Sequence, residues 1–223
     1  MTTRTRPPGD TTSDAPSRQD RRKARTRQAL INAAREFLAQ QGKLDMSIQE
    51  ITEAADVGFG SFYNHFPTKE DLLQTAIADT LEEHGQMLDV LTAHLEDPAT
   101  VFAASLRVTA RLADSHPQIA QILARTGLLY LDFDRGLAPR ALRDIQRAIE
   151  SGQFQVTNPY VALATAGGSL LGLIHLRLEH PDLLGEDAPE EFAEQLLRGF
   201  GMSRRAAHST ARKPLPSVTT ELD

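Results

Sequence analysis

Cysteine and tryptophan are absent from this 223-residue chain, and nine Phe and three Tyr supply its aromatic rings. Without cysteine there is no disulfide framework, no thiolate metal site and no cysteine nucleophile, which fits a reducing compartment. No run approaches the ~18 to 20 consecutive apolar residues that span a bilayer, and the N-terminus lacks the apolar segment of a signal peptide. These absences predict a cytoplasmic protein with no membrane contact.

Catalytic and metal-binding signatures are missing as well. The sequence contains no G-x-S-x-G nucleophile elbow, no phosphate-binding loop and no H-E-x-x-H zinc motif. His175 and Glu179 have the i, i+4 spacing of half a metal site, but no second pair of ligands accompanies them. The sequence therefore predicts a protein that is not an enzyme and that uses no metal and no cofactor.

Charge is distributed unevenly along the chain. Residues 1–27 hold eight Arg or Lys against three Asp, a net +5, which leaves −11 for the remainder of a chain whose total is −6. A basic end of this kind is typical of contact with a polyanion. The first 17 residues, rich in Thr, Pro and Asp, predict a disordered arm over 1–17. From Arg18 onward the basic residues join a helical pattern.

Helical periodicity and capping patterns account for most of the chain. A first helix is predicted from about Arg18 to Gln41, and Ser47, with Glu50 three residues later, caps a short second helix. Thr68 opens a long helix, and Pro at first-turn positions starts further helices. These lie near 98–114, 117–130, 138–151, 159–180 and 189–202. The one short strand-like stretch, 153–156, is interpreted as a loop, so the predicted fold class is all-α.

The stretch VGFGSFYNHF, residues 57–66, places four aromatic residues beside two glycines. As a helix over 59–65 it would present Ser61, Asn64 and His65 on one face, and two Phe on another. The ring face would pack on the preceding helices, while the polar face would enter a DNA major groove, as the second helix of a helix-turn-helix does. The glycines are expected to turn the chain and to let its backbone approach DNA.

Residues 47–72, SIQEITEAADVGFGSFYNHFPTKEDL, resemble the N-terminal signature of the TetR family of bacterial transcriptional regulators. In that pattern a Ser or Thr caps the second helix, Tyr and Phe close the third, and Lys-Glu opens the fourth. The resemblance covers roughly residues 20 to 75. It implies a homodimeric repressor that binds a pseudo-palindromic operator and is released by a small effector. Asp56 departs from the Gly commoner in the turn, and Gly58-Phe59 replaces a more usual polar pair.

The resemblance and the composition together divide the chain into four segments. Residues 18–67 are predicted to form the helix-turn-helix DNA-binding domain, and 68–202 a helical effector-binding and dimerisation domain. Residues 203–223, rich in Ser, Thr, Lys and Pro, predict a disordered tail that follows the disordered N-terminal arm.

DNA contacts are expected at the basic start of the first helix and at positions that face DNA in the family. They are Arg21, Arg22, Lys23, Arg25, Arg27, Ser47, Phe59, Gly60, Ser61, Tyr63, Asn64, His65 and Lys69. Arg and Lys would bind phosphate, Asn64 can bridge an adenine edge, and Phe59 can touch a thymine methyl. The alternative for each is an ordinary surface or packing residue.

The remaining sites follow from the family expectation more than from a motif. An apolar effector pocket, with Arg125 meeting one acidic group of the ligand, is predicted from the rings of the central helices. Its residues are Phe102, Leu106, Arg125, Tyr130, Phe133 and Phe154. A four-helix dimer interface is predicted from small and apolar residues of the last two helices. Its residues are Gly168, Leu171, Gly172, His175, Phe192, Leu196 and Phe200. For both sets a plain core role is the alternative.

Two other functions stay open on the residues alone. One is a helical small-molecule-binding protein or enzyme whose helix-turn-helix is vestigial, and the other is a protein-interaction adaptor that uses the acidic part of the chain. Strong, salt-dependent DNA binding by residues 18–75 discriminates against both.

Overall fold

A computed structural model describes residues 17–40 and 46–216, and within those ranges the chain forms helices and no strand. The all-α prediction is confirmed. The α-helices are α1 Arg18–Ala39, α2 Ile48–Ala54, α3 Phe59–Phe62, α4 Lys69–Thr92, α5 Pro98–Ala110, α6 Leu112–Ser115, α7 Pro117–Thr126, α8 Leu137–Glu150, α9 Pro159–Glu179, α10 Ala188–Gly199 and α11 Arg204–Ala211. Short 3-10 helices span Gly127–Asp132 and Pro181–Leu183. The predicted arm, apart from Ser17, lies outside the described residues.

Local capping fixes where the first helices begin. Ser17, Ser47 and Thr68 each accept a hydrogen bond from the backbone N–H three residues later, and the acid at that position reaches back to the cap. This reciprocal pair satisfies two backbone donors that a helix start otherwise leaves free. The capping box predicted at Ser47 is therefore confirmed, and Ser17 and Thr68 add two more.

Two hydrophobic cores divide the molecule into a head, made of α1 to α3 with the start of α4, and a body, made of the rest. The head core contains Leu30, Phe62, Phe66 and Leu72, all at most 3% exposed. The body core is built from α4 to α11. Helix α7 faces both, because its Ile122 belongs to the head core. The head is thus seated on the body through buried side chains.

The segment after 203 differs from its predicted disorder. Ser203 caps α11, and Ala207 and Ala211 are fully buried in the body core. Sequence periodicity missed this helix because alanine carries its packing, and few larger apolar residues mark the face. Lys213, just beyond α11, donates from Nζ to Thr100 Oγ1 at 2.7 Å. The predicted tail is therefore wrong for residues 204–211, and 217–223 lie outside the described residues.

A buried charge cluster fastens this C-terminal part to α5. Glu190 accepts hydrogen bonds from Arg107 and from Arg111, at distances from 2.5 to 2.9 Å. Arg107 also donates to the backbone carbonyl of Lys213 at 2.7 Å. Since Arg107 and Glu190 are 5% and 8% exposed, removing either would leave an unpaired charge inside the body.

Helix α9 corrects the exclusion of a membrane-length apolar segment. Its 21 residues are long and apolar enough to span a bilayer by length and composition alone, the single such helix in the described residues. A search for consecutive apolar residues does not find this helix, because Gly, Thr and Ser interrupt its apolar runs. Buried helices of globular domains meet the same criterion, and Leu163, Leu170 and Ile174 of α9 do pack in the body core.

Candidate nucleic-acid interface and ligand cavity

The turn between α2 and α3 depends on Asp56 and not on a glycine. Asp56 has a φ of 53°, in the left-handed region that Asp tolerates better than most residues. Gly58 has a φ of −61° and serves as the extended N-cap of α3, so the expectation that it makes the turn is wrong. The hydrogen bond from Val57 N to Thr52 O, 2.9 Å long, closes the turn.

The segment after this turn is less regular than the helix predicted over 59–65. Helix α3 ends at Phe62, and the next three residues continue as a hydrogen-bonded turn, with Asn64 N donating to Ser61 O and His65 N to Phe62 O. Asn64 is exposed, while Ser61 and His65 are half-buried. The three predicted reading residues therefore lie in one compact segment, but only Asn64 is openly presented.

The four rings of this segment separate into an inner and an outer pair. Phe62 and Phe66 are 0% and 3% exposed in the head core, as the sequence predicts. Phe59 and Tyr63 are 52% and 55% exposed, and their rings meet edge to face with centroids 6.1 Å apart. Burial of the inner pair anchors a one-turn helix that could not persist alone. The outer pair is exposed and can contact another molecule.

His65 is held in its neutral form by its surroundings. Burial lowers the pKa of its imidazole, and the nearby positive charges of Lys23 and Arg27 lower it further. Its Nδ1 is buried and has no hydrogen-bond partner in the described part of the chain. A neutral imidazole offers one donor and one acceptor, so His65 can act as a hydrogen-bonding group at neutral pH.

Basic side chains flank this segment from the start of α1. All five predicted cations of α1, at positions 21, 22, 23, 25 and 27, are exposed. The Arg27 guanidinium also lies 5.0 Å from the centre of the Phe66 ring, which ties the basic stretch to α3. Lys69, half-buried at the start of α4, donates to the carbonyl of Met46 at 3.1 Å. It thereby joins α4 to the residue before Ser47.

A cavity in the body has apolar walls and a charged end. Its volume is about 50 Å³. Phe102, Leu106 and Tyr130, three of the predicted effector residues, line it together with Leu88, Leu137, Leu163 and Leu170. The charged end consists of Asp89 from α4 and of Arg140, Arg143 and Asp144 from α8. Sequence reasoning missed these four residues.

The charged end is organised as a chain of ion pairs. Asp89 accepts from Arg140 Nε at 2.6 Å and from Arg143 Nη2 at 3.0 Å, and Arg143 Nε donates to Asp144 at 2.9 Å. Arg140 also donates to both carboxylate oxygens of Glu82. Burial raises the pKa of Asp144, whereas the Arg140 hydrogen bonds lower the pKa of Glu82 to about 2. Arg140, Arg143 and Asp144 stand at i, i+3 and i+4 in α8, and this spacing is the sequence signal that they share one helix face.

Tyr130 closes the cavity from the 3-10 helix. It is 4% exposed. Burial raises the pKa of the Tyr130 phenol to about 12. A Cβ atom added to Gly167 would lie 2.1 Å from this hydroxyl oxygen, so Gly167 is needed for the ring to lie where it does.

The other predicted effector residues lie elsewhere. Arg125 donates from Nη1 to Leu38 O at 2.8 Å and from Nη2 to Gln40 O, so it contacts α1 and not the cavity. Phe154 packs edge to face on Phe102, behind the cavity wall. Phe133 packs against the body core without lining the cavity. These three residues therefore do not line this cavity, and its charged end holds two Arg and two Asp where the sequence predicts one cation.

The predicted interface residues differ in how much surface they leave available. On α9, Gly172 and His175 are exposed, and Gly168 and Leu171 are half-buried. On α10, Phe192 is half-buried and lines a groove against α9. Leu196 and Phe200 are 6% and 5% exposed, and Phe200 packs on Phe102 and Phe154. Both also line the same groove as Phe192, so their assignment to an interface stays a prediction.

His84 makes a testable link between α4 and α5. Its ring is 3% exposed, with Nε2 3.1 Å from Thr109 Oγ1. Burial, followed by the positive charge of His116, lowers the pKa of His84 from 6.5 to about 4. This group therefore stabilises the fold fully above pH 6.5, and the contribution is lost as pH falls towards 4, because the unfolded chain takes up the proton first.

We expect the free energy of unfolding to fall by about 2 kcal/mol more between pH 7 and pH 5 in the native chain than in His84→Gln. Glutamine can still hydrogen-bond Thr109 but does not titrate. Chemical denaturation at the two pH values measures the difference, and His94→Gln, at an exposed position that does not contribute to the shift of His84, serves as the control. Equal losses in the native chain and in His84→Gln would contradict the assignment.

Comparisons with known proteins agree with both halves of this arrangement. The family model described as bacterial regulatory proteins, tetR family, matches residues 30–76, and the model of the tetracyclin repressor-like C-terminal domain matches 97–213. The second match alone covers more than half of the chain. Together the two matches reach from the head core to the end of α11.

Among solved structures, RolR in complex with resorcinol is 35% identical, with a TM-score of 0.74 over 89% of this chain and 99% of that chain. Among curated proteins, the repressor DhaR of Mycobacterium sp. strain GP1 is 32% identical over 54% of this chain and 56% of its own. The repressor KstR2 of Mycolicibacterium smegmatis is 30% identical over 43% and 45%. The chain spans about half the length of these two curated relatives. Both curated proteins are named as transcriptional repressors and not as enzymes.

Proposed function

Because the chain belongs to the TetR family of bacterial transcriptional regulators, we propose that it is a one-component repressor that leaves its operator when a small molecule fills the body cavity. The observation that carries the DNA-binding part is the outer surface of the head. Phe59, Tyr63 and Asn64 are exposed on one short segment whose other rings are buried, and exposed cations of α1 flank it. Polar and aromatic groups can read base edges while the cations bind phosphate.

The other DNA-contact assignments keep their proposed roles with one adjustment. Ser47 and Lys69 lie at neighbouring helix starts, where exposed backbone N–H groups favour phosphate. Since the Lys69 amine also donates to Met46 O, we assign Lys69 a joint role in phosphate binding and in fixing α4. Gly60 has open space around its Cα, so it leaves room for close approach of a DNA backbone.

We assign the effector to the cavity between α4, α5, α8 and α9. Its walls are apolar and its charged end offers both carboxylates and guanidinium groups, a combination that suits a small aromatic ring bearing hydroxyls. A phenol can donate to Asp89 or Asp144 and accept from Arg140 or Arg143. RolR, the similar solved structure, holds resorcinol. We therefore propose resorcinol or a close phenolic analogue, in place of the hydrophobic effector with one acidic group that the sequence indicates.

Pairing of two copies through α9 and α10 completes the proposal. Tyr160 and Val161 of α9 are 64% and 61% exposed, and the groove beside them is lined by Phe192 of α10. An apolar helix face of this extent is typical of an interface between subunits. A homodimer would place two heads about one DNA turn (~34 Å) apart on a pseudo-palindrome. Such a regulator acts in the cytoplasm.

Binding of the purified chain to DNA upstream of its own gene, at two salt concentrations, tests the first part. We expect selective binding that weakens steeply as salt rises, because phosphate contacts release counterions. If the upstream DNA is not bound selectively, and if selection from random DNA yields no preferred sequence either, the regulator proposal is wrong. The alternative of a ligand-binding protein with a vestigial helix-turn-helix would then take its place.

Resorcinol is expected to weaken operator binding by about tenfold or more, which is the usual size of coupling between two sites. Toluene, similar in size but without hydroxyls, is the matched control and is expected to change the affinity by less than about twofold. Isothermal titration of the DNA-free chain measures ligand binding separately. Equal effects of resorcinol and toluene would contradict the role of the charged end.

A further inference from the structure

We propose that Arg125 is the positioning residue that couples the state of the ligand cavity to the placement of α1 in the head. The inference rests on the proposed function and adds the route by which the cavity is sensed. The route runs along one short stretch of chain, from Tyr130 in the cavity wall to Arg125 at the end of α7.

Arg125 completes the C-terminal end of α1 from another helix. The last carbonyls of a helix have no partner inside it, and a positive charge is favourable there. Helix α1 has no basic residue in its last turn, and Arg125 supplies one by donating to the carbonyls of Leu38 and Gln40. The guanidinium fork spans both carbonyls, so its position sets that of the end of α1.

Helix α7 carries any movement of its own into the head. Ile122 is 3% exposed in the head core, while its neighbour Leu123 is fully buried in the body core. Because packed cores resist continuous deformation, a shift of α7 relative to the body changes the position of α1. Arg125, one turn after Ile122, adds a directional contact to this packing.

The cavity reaches α7 through the 3-10 helix that follows it. Gly127 has a φ of 58° and a ψ of −144°, a backbone conformation that is essentially restricted to glycine. Three residues later Tyr130 lines the cavity, with its hydroxyl against Gly167. A ligand that displaces this ring therefore moves a segment directly joined to Arg125.

A second polar contact between α1 and the body provides the control. Arg35 of α1 forms a two-pronged ion pair with Glu83 of α4, with bonds of 2.7 and 3.1 Å. Neither residue lines the cavity or belongs to the stretch from Arg125 to Tyr130. Breaking this ion pair weakens the attachment of α1 to α4 but leaves the stretch from Arg125 to Tyr130 unchanged.

The test is a double-mutant cycle that needs no ligand. Gly167→Ala forces the Tyr130 ring to move, since the new Cβ would lie 2.1 Å from its hydroxyl oxygen, and so imitates an occupied cavity. Gly167→Ala and Arg125→Met are made singly and together, and Arg35→Gln replaces Arg125→Met in a parallel cycle. The readouts are amide hydrogen exchange at residues 37–39 in the DNA-free chain, and affinity for an operator obtained by random-sequence selection.

We expect Gly167→Ala to speed exchange in the last turn of α1 and to weaken operator binding, each by about tenfold. In the Arg125→Met background its further effect is expected to be less than about twofold, whereas in the Arg35→Gln background it stays at full size. If Gly167→Ala fails to fold, Gly127→Ala takes its place, because open space surrounds Gly127 and only its backbone is strained.

Additive effects of Gly167→Ala and Arg125→Met would overturn the inference, since they would show that Arg125 only stabilises the head. No effect of Gly167→Ala on α1 would overturn it as well. The exchange readout needs neither DNA nor effector. A chain that couples the two sites in hydrogen exchange but binds no DNA selectively would therefore refute the proposed function and leave the Arg125 route supported.

Discussion

A chain carrying Tyr63→Ala together with Asn64→Ala is expected to lose at least about 100-fold in affinity for its operator, because each base-reading contact contributes roughly 1 to 3 kcal/mol. Both side chains are exposed and neither is part of the head core, so the fold should be unaffected. The measurement is fluorescence anisotropy with the selected operator and with a scrambled duplex. Weak, non-selective binding through the α1 cations should persist.

Matched variants separate reading from packing. Asn32→Ala removes an exposed amide from α1, away from the reading segment, and should change operator affinity by less than about twofold. Tyr63→Phe keeps the ring contacts with Phe59 and Phe62 and removes only the hydroxyl. Undiminished selectivity in the double variant would mean that the exposed segment of the head does not read DNA.

Arg140→Met is expected to lower the free energy of unfolding by about 3 kcal/mol, because it leaves the carboxylates of Glu82 and Asp89 without their shared partner. Arg140 is 19% exposed and donates to both acids at 2.6 to 2.9 Å. For a chain of this length the loss corresponds to a fall of roughly 6 to 12 °C in the melting temperature. Differential scanning calorimetry at pH 7 measures it.

The effect of Arg140→Met should diminish in acid. Hydrogen bonds from Arg140 lower the pKa of Glu82 to about 2, so this carboxylate stabilises the native fold above pH 4.5, and the contribution is lost as pH falls towards 2. The difference between native chain and variant is therefore expected to shrink from pH 5 to pH 3. Arg135→Met, which breaks the more exposed Arg135–Asp79 pair, should cost less than about 1 kcal/mol. Equal costs for the two variants would refute the special position of Arg140.

Much of the head follows from its sequence because local rules act there without competition. Capping boxes fix the start of α2 and of α4, and the alternation of rings with polar residues separates the buried Phe62 and Phe66 from Asn64. The exact backbone conformation around α3 does not follow from the sequence. A single turn of helix and a left-handed Asp56 depend on tertiary packing, which overrides local propensity in so short a segment.

The cavity was less predictable because its chemistry comes from pairs distant in sequence. Asp89 meets Arg140 only once α4 and α8 are packed together, and the approach depends on Gly85, where a Cβ would lie 2.8 Å from the Arg140 guanidinium. In the sequence, Arg140, Arg143 and Asp144 resemble any solvated charged helix face. The sequence predicts a ligand contact for Arg125 because an Arg among apolar residues suggests a bound anion. Its partners are backbone carbonyls, which no sequence pattern reveals.

The position of Ile122 in the head core has a consequence for how the molecule unfolds. The predicted boundary between residues 67 and 68 separates the DNA-binding segment from the rest of the chain. The head core, however, contains residues from both sides of this boundary, and each is buried only in the presence of the others. Head and body should therefore melt in one cooperative transition, and a fragment ending at residue 67 would expose the surface that α4 and α7 cover. The evolutionary exchange of DNA-reading heads between such chains would then require the matching face of α7 to be exchanged with them.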